Sequence, residues 1–170
     1  MLIEMKVASL TVDPFNNMPT LILTDAEGRS LPLWIGLVEA SAIAAELESI
    51  HLDRPMTHDL MKTILGVCAI AVDRVEIHDL RASTFFATLY LKPPAPNSEL
   101  IAVDARPSDA IALALRARAP IFVAKKVIDK ANRRHHGLPA EVVAASTPPA
   151  PAQEEILEGL SERAFGKWKM

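Results

Sequence analysis

The sequence predicts an α+β domain, a mixed or antiparallel sheet with packed helices, followed by a C-terminal helical tail. Three observations carry this. Short β-rich runs and helical stretches interleave irregularly rather than as a regular βαβ array. Half of the 170 residues are hydrophobic but only 5% are aromatic, so the core must be built from Ala, Leu, Ile and Val. A Pro- and Ala-rich stretch then separates the last amphipathic segment from everything before it. A chain of this length can bury a self-sufficient core. Its 23% charged residues and mean hydropathy of +0.19 exclude a wholly disordered or fibrous chain. No apolar run approaches the roughly 20 residues of a membrane span. Met1 leads straight into strand-like sequence, without the basic and apolar regions of a signal peptide. One cysteine, Cys68, excludes an intramolecular disulfide and a four-Cys zinc site. The expected setting is cytoplasmic, with no membrane contact.

Met5 to Val12 reads as a strand and residues 13–19 as a loop. Thr20 to Thr24 and Leu31 to Ile35 are strands around Asp25-Ala26-Glu27-Gly28, where Gly28 supplies the positive φ of a hairpin loop. Pro32 has no ladder donor, so its strand belongs at an edge. Leu37 to Ile50 reads as a helix with little polar surface, buried on several sides and suited to cover by a second subunit. Thr57 to Gly66 is a second helix, with Thr57 as N-cap and Gly66 as its stop. Ala69 to Asp79 and Thr84 to Lys92 are strands rich in β-formers, and Leu100 to Asp104 is a shorter one. Pro107 to Ala117 is the clearest helix: Pro107 fits the first turn, Asp109 complements the dipole and Pro120 ends it. Ile121 to Val123 is a short buried strand and Ala124 to Arg134 a basic helix. The expected organisation is a domain over 1–132, a linker over 133–151, and an amphipathic helix over 152–170 with Ile156, Leu157, Leu160 and Phe165 on its apolar side.

The net charge of −3 is unevenly spread. Residues 1–115 carry 8 Lys/Arg against 15 Asp/Glu, whereas residues 116–136 carry seven, including Arg116, Lys125, Lys126, Lys130, Arg133 and Arg134, against Asp129 alone. A basic segment on an acidic body suits an anionic partner, and the blander reading is a solvated helix face with a basic end.

P-loop, dinucleotide-binding, zinc-protease and serine-hydrolase motifs are all missing. Two short constellations stand out instead: Arg54-Pro55-Met56-Thr57-His58-Asp59 and Asp104-Ala105-Arg106-Pro107-Ser108-Asp109. Each sets an Arg ahead of a helix start with hydroxyl and carboxylate groups on its first turn. Free backbone N–H groups beside a guanidinium make an anion site. In a phosphodiesterase reading, Arg54, Arg106, Thr57 and Ser108 bind phosphate, and His58 moves a proton near neutral pH. Asp59, Asp104 and Asp109 orient it or, for Asp104 and Asp109, hold a divalent Mg²⁺ or Mn²⁺. Glu39 is a more remote candidate, and no organic cofactor is implied. The inventory works only if the two helix starts converge. The plainer reading of the same residues is helix capping and local ion pairing, with Arg54 and Arg106 held by Asp59 and Asp104. Cys68, beside Val67, Ala69 and Ile70, reads as a small core residue, and Met5, Met56 and Met61 as packing.

Leu33-Trp34-Ile35-Gly36 with Glu39-Ala40, Arg54-Pro55-Met56-Thr57-His58-Asp59-Leu60, and Asp104-Ala105-Arg106-Pro107-Ser108-Asp109-Ala110-Ile111-Ala112-Leu113 together resemble the bifunctional nuclease family, over about residues 1 to 130. The resemblance implies a compact, usually self-associating α+β domain, with a dimer the first expectation, and cleavage of DNA and RNA with low sequence specificity. It brings no catalytic mechanism, so the roles above remain chemical inference. Members often carry a C-terminal helical hairpin rich in Glu and Lys, and residues 137–170 do not look like it. The alternative to a metal-assisted nuclease is an oligomeric, non-catalytic module that binds an anion or nucleic acid. In the nuclease reading the basic residues Lys125, Lys126, Lys130, Arg133 and Arg134 would extend a nucleic-acid track.

Overall fold

The computed structural model describes residues 1–13, 17–50 and 52–135. They form β1 (Leu2–Val12), β2 (Pro19–Thr24), β3 (Ser30–Trp34), α1 (Leu37–Leu47), α2 (Thr57–Val67), β4 (Ala71–Arg81), β5 (Thr84–Lys92), β6 (Ile101–Ala105), α3 (Pro107–Ala117), β7 (Ile121–Ala124) and α4 (Lys125–His135). The strands make one mixed seven-stranded sheet in the order β3-β2-β1-β7-β4-β5-β6. Every pairing is antiparallel except β4 with β7. This is the expected α+β architecture.

Strand alternation builds one covered face. Ile3 and Met5 stand opposite Val123 and Ile121, which in turn stand opposite Ile77 and Val75. Val75 and Ile77 then face Leu89 and Ala87 on β5. All of these are buried and join a single core with Ile43 of α1, Ile111 and Leu113 of α3, and Val127 and Ile128 of α4. The residues between them, Glu4, Phe122, Glu76 and Thr88, lie on the opposite, more open face. Pro32 sits on β3, the edge strand its missing donor requires. Gly28 takes φ 81 in the β2–β3 turn, where Asp25 accepts the N–H groups of Glu27 and Arg29.

Several expectations shift. β1 starts at Leu2 because its first residues pair with β7, a partner 116 to 122 residues away that no local pattern announces. α1 ends at Leu47, and its middle, Ala40 to Ala45, is buried within its own chain, chiefly against α3. Leu37, Val38 and Leu47 toward its ends stay exposed. α2 passes through Gly66 to Val67, and Ala69, at φ 55, makes the left-handed turn instead. Cys68 follows that helix end and is exposed, so it is not a core residue. Met5 is buried as expected, while Met61 is exposed. α4 runs on to His135, three residues into the stretch read as a linker. The remainder of that linker and the 152–170 helix lie outside the described residues. Among the described residues no helix is long and apolar enough to cross a membrane.

Candidate functional site

α1 leaves β3 and α3 leaves β6, the two opposite edges of the sheet. Both helices lie over the covered face of the sheet, where α1 packs chiefly on α3. Glu39 in the first turn of α1 and Arg106, the N-cap residue of α3, meet there: Nη1 of Arg106 donates to Oε1 of Glu39 at 2.7 Å. The same guanidinium donates from Nε and Nη2 to the two carboxylate oxygens of Asp109, at 2.7 and 3.1 Å. This bidentate grip fixes the guanidinium plane and leaves one N–H on each terminal nitrogen. Arg106 remains 67% exposed, so those donors face solvent. Its hydrogen bond and attraction to Asp109, followed by those to Glu39, raise its pKa above even the usual arginine range.

Gly36 makes room for this arrangement. A Cβ there would stand 2.2 Å from Oε2 of Glu39, so any other residue would push the carboxylate away from the position in which it holds Arg106. The φ of Gly36 is an ordinary −72°, so space rather than backbone freedom is what the glycine supplies.

α2 brings the third helix start to the same place. Nε2 of His58 lies 3.6 Å from Oδ1 of Asp109, and its side chain is largely covered. Asp109 therefore sits between the guanidinium and the imidazole. Asp59, one residue on, points elsewhere. Its Oδ1 accepts from Nε of Arg116 at 2.6 Å, and its Oδ2 accepts the Met56 N–H at 2.8 Å, which caps α2. Asp59, not Thr57, is thus the capping side chain. Arg116 is 3% exposed and also donates to the Ala112 carbonyl. Burial pushes the Asp59 carboxyl up, but the Arg116 and Met56 hydrogen bonds and the charges of Arg116 and His58 outweigh it and leave it below the usual carboxylate range.

The two sequence constellations therefore converge, with a membership different from the one expected. His58, Asp109, Arg106 and Glu39 form one continuous polar cluster. Asp59 is an anchor between α2 and α3. Arg106 pairs with Asp109 and Glu39, not with Asp104. Asp104 stands opposite Thr88 in the β5–β6 register, and its neighbours Val103 and Ala105 stand opposite the buried Leu89 and Ala87. Pleating thus sends Asp104 to the open face, away from Asp109. Arg54 is exposed, Thr57 is exposed and Ser108 is buried; Arg54 has no ion pair among the described residues. The expected metal pair Asp104 and Asp109 is not brought together, and no group of three or more His, Cys, Asp or Glu among the described residues could hold a metal ion.

On α4, Lys125, Lys126, Lys130 and Arg133 are exposed; the side chain of Arg134 lies outside the described ones. Lys125 is paired with Asp129 at 2.9 Å, and Lys130 donates to the Leu80 carbonyl and lies 3.9 Å from Asp79. Lys126 and Arg133 carry no ion pair among the described residues. The basic segment is also shorter than its count suggests, since Arg116 is buried in the α2–α3 contact.

Sequence reasoning missed Arg116 and undervalued Glu39 and Gly36. Arg116 lies seven residues after Asp109, hence on the same side of α3, and that spacing was the available signal. Glu39 and Gly36 offered only the three-residue spacing of a helix start.

Residues 21–136 match the bifunctional nuclease domain family. An uncharacterized protein of Mycobacterium tuberculosis (strain ATCC 25618 / H37Rv) is 40% identical over 130 residues, 76% of this chain and 76% of its own. A rice protein, Bifunctional nuclease 1 of Oryza sativa subsp. indica, is 30% identical over 109 residues, 63% of this chain and 33% of its own. Bifunctional nuclease 2 of Arabidopsis thaliana is 29% identical over 105 residues, 62% of this chain and 32% of its own. The chain thus spans about a third of each of these plant relatives.

Proposed function

This chain belongs to the bifunctional nuclease domain family, and from that membership and the convergence of three helix starts we propose that it hydrolyses phosphodiester bonds of DNA and RNA with low sequence specificity. The observation that carries the reading is the cluster in which Nε2 of His58 lies 3.6 Å from Asp109, while Asp109 and Glu39 are both hydrogen-bonded to Arg106. The two free N–H donors of Arg106 take the substrate phosphate and stabilise charge gathering on its oxygens. His58, oriented by Asp109, removes a proton from the attacking water. Glu39 and Asp109 hold the guanidinium plane in place. With His58 neutral these four groups sum to one negative charge, and the proton taken from water neutralises them as the phosphoryl oxygens become more anionic. Metal assistance belongs to the same reading: Mg²⁺ or Mn²⁺, which needs only one or two protein carboxylates beside a substrate phosphate, would add to the stabilisation of charge there.

The exposed Lys126 and Arg133 extend phosphate contact outward along α4. A cytoplasmic setting fits a chain with one exposed, unpaired cysteine. A homodimer is part of the same proposal. One observation favours the non-catalytic alternative: Arg106 already spends three hydrogen bonds on carboxylates, as a subunit lock or anion gate would.

The test is cleavage of labelled single- and double-stranded DNA and RNA by wild type, His58→Ala and Arg106→Ala, with Mg²⁺, with Mn²⁺ and with EDTA. Loss in both variants, with fold and mass unchanged, supports the site. Equal residual activity in all three proteins refutes it and leaves the binding module. Cleavage abolished by EDTA but retained in both variants would place the chemistry elsewhere in the chain.

A further inference from the structure

His58 is not held in place by its own side chain. Its Nε2 lies 3.6 Å from Oδ1 of Asp109, beyond the roughly 2.7–3.2 Å of an N–H···O hydrogen bond, so the imidazole sits where the first turn of α2 puts it. That helix has little else to fix it. None of its 11 residues is buried, its main neighbour is α3, and Leu65 is only partly covered. A helix this short is marginal in water by itself.

The fixed point lies on α3. Arg116 is the only charged residue that is buried among the described residues. Its Nη1 donates at 3.0 Å to the Ala112 carbonyl, one turn back on its own helix, and its Nε donates at 2.6 Å to Oδ1 of Asp59. Asp59 directly follows His58, and its other oxygen accepts the Met56 N–H that opens α2. One carboxylate thus joins the start of α2 to a guanidinium immobilised on α3. Asp109 and Arg116 are seven residues apart, on one side of α3 and two turns from each other. α3 therefore carries both the carboxylate that faces His58 and the group that decides where α2 begins. Stability is a poor reason for this arrangement, since a well-packed apolar pair often holds two elements as firmly as a buried ion pair, or more so. What the ion pair adds is direction, through short charge-assisted hydrogen bonds.

We propose that Arg116 is the positioning residue of this site: through Asp59 it sets the first turn of α2 and thereby the place of the His58 imidazole beside Asp109. Arg116 touches no substrate and moves no proton. The inference deepens the nuclease reading and rests on it for the effect on cleavage, whereas the place of His58 can be read without substrate.

The test uses the full chain with Asp59→Asn and Arg116→Met combined. Asn keeps an oxygen for the Met56 N–H and Met leaves no buried charge unpaired, so the fold should survive, as circular dichroism and Tm will show. Arg116→Lys is the second variant, which keeps the charge but not the directed fork, and it decides the matter if the double variant does not fold. The first readout is the long-range ¹⁵N–¹H spectrum of the imidazoles. His58 is assigned by its absence in His58→Ala, and His78, whose Nδ1 lies 3.4 Å from Oγ1 of Thr88, is the internal reference. The His58 signals should move in the double variant and, by less, in Arg116→Lys, while those of His78 stay in place. The second readout is cleavage: kcat should fall about tenfold or more, because a small displacement of a reacting group is that costly, and KM should stay within about twofold, because Arg106 is untouched. Moved His58 signals together with a selective fall in kcat support the proposal. His58 signals that stay in place in the folded variants overturn it. So does movement of the His58 and His78 signals together, the mark of general loosening, and so does full kcat in the variants while His58→Ala is inactive. If His58→Ala cleaves as well as wild type, the nuclease reading fails and the imidazole signals alone decide whether Arg116 positions His58.

Discussion

Asp59→Asn separates an anchor from a catalyst. In wild type the carboxylate receives Nε of Arg116 at 2.6 Å and the Met56 N–H at 2.8 Å. The amide has one oxygen and cannot accept both, and its NH₂ would face a donor. The loss comprises a hydrogen bond to a charged group, about 1.5–3 kcal/mol, and a helix cap, about 0.5–2 kcal/mol. Arg116, 3% exposed, keeps only the Ala112 carbonyl. Breaking a fully buried pair costs about 3–5 kcal/mol, but the Asp59 side chain is 39% exposed, so water screens part of that. We expect about 2–3 kcal/mol, or a Tm lowered by about 7–10 °C for a domain of this size.

The pH dependence has a definite sign. Asp59 is depressed in the folded state, so its contribution is fully present above the unfolded value near 3.9 and is lost as pH falls through the folded value. Urea unfolding of the full chain at pH 7 and at pH 3 reads both effects: the gap between wild type and Asp59→Asn should be wide at pH 7 and narrow at pH 3. Asp59→Asn combined with Arg116→Met should cost less than Asp59→Asn alone, because no uncompensated charge remains buried. A variant within about 0.5 kcal/mol of wild type at pH 7, the range of an ordinary surface change, would refute the anchor.

Gly36→Ala should leave Tm nearly unchanged, since the clash is with the far end of Glu39 and the backbone is unstrained, yet should lower cleavage about tenfold, equivalent to roughly 1.4 kcal/mol of transition-state stabilisation; comparing kcat with Tm separates the two. Arg106→Lys should lose the bidentate grip on Asp109 and at least about tenfold in cleavage, with the fold intact because the side chain is mostly exposed; retained cleavage would show that a point charge suffices. Lys126→Glu with Arg133→Glu should weaken binding evenly across nucleic-acid sequences and reduce the slope of log K against log salt by about 1–2. An unchanged slope would remove α4 from the nucleic-acid path.

Much of this fold was readable from local pattern. α3 begins and ends where Pro107 and Ala117 place it, β5 spans the expected residues, and Gly28 and Pro32 occupy the hairpin and the edge strand that their chemistry demands. Each depends on backbone preferences acting over a few residues, and the residues at the helix starts suffice to name His58, Arg106 and Asp109 as one candidate set. What the sequence could not determine is which groups meet. Glu39 and Arg106 are 67 positions apart, and Asp59 and Arg116 are 57 apart; both contacts follow from strand order, sheet twist and the lie of the helices. Asp104 was separated from the helix-start cluster by the pleat of β6, and α2 was left without a buried residue while the middle of the more apolar α1 was buried, chiefly against α3. Local chemistry selects the residues able to act; long-range packing decides which of them share a site.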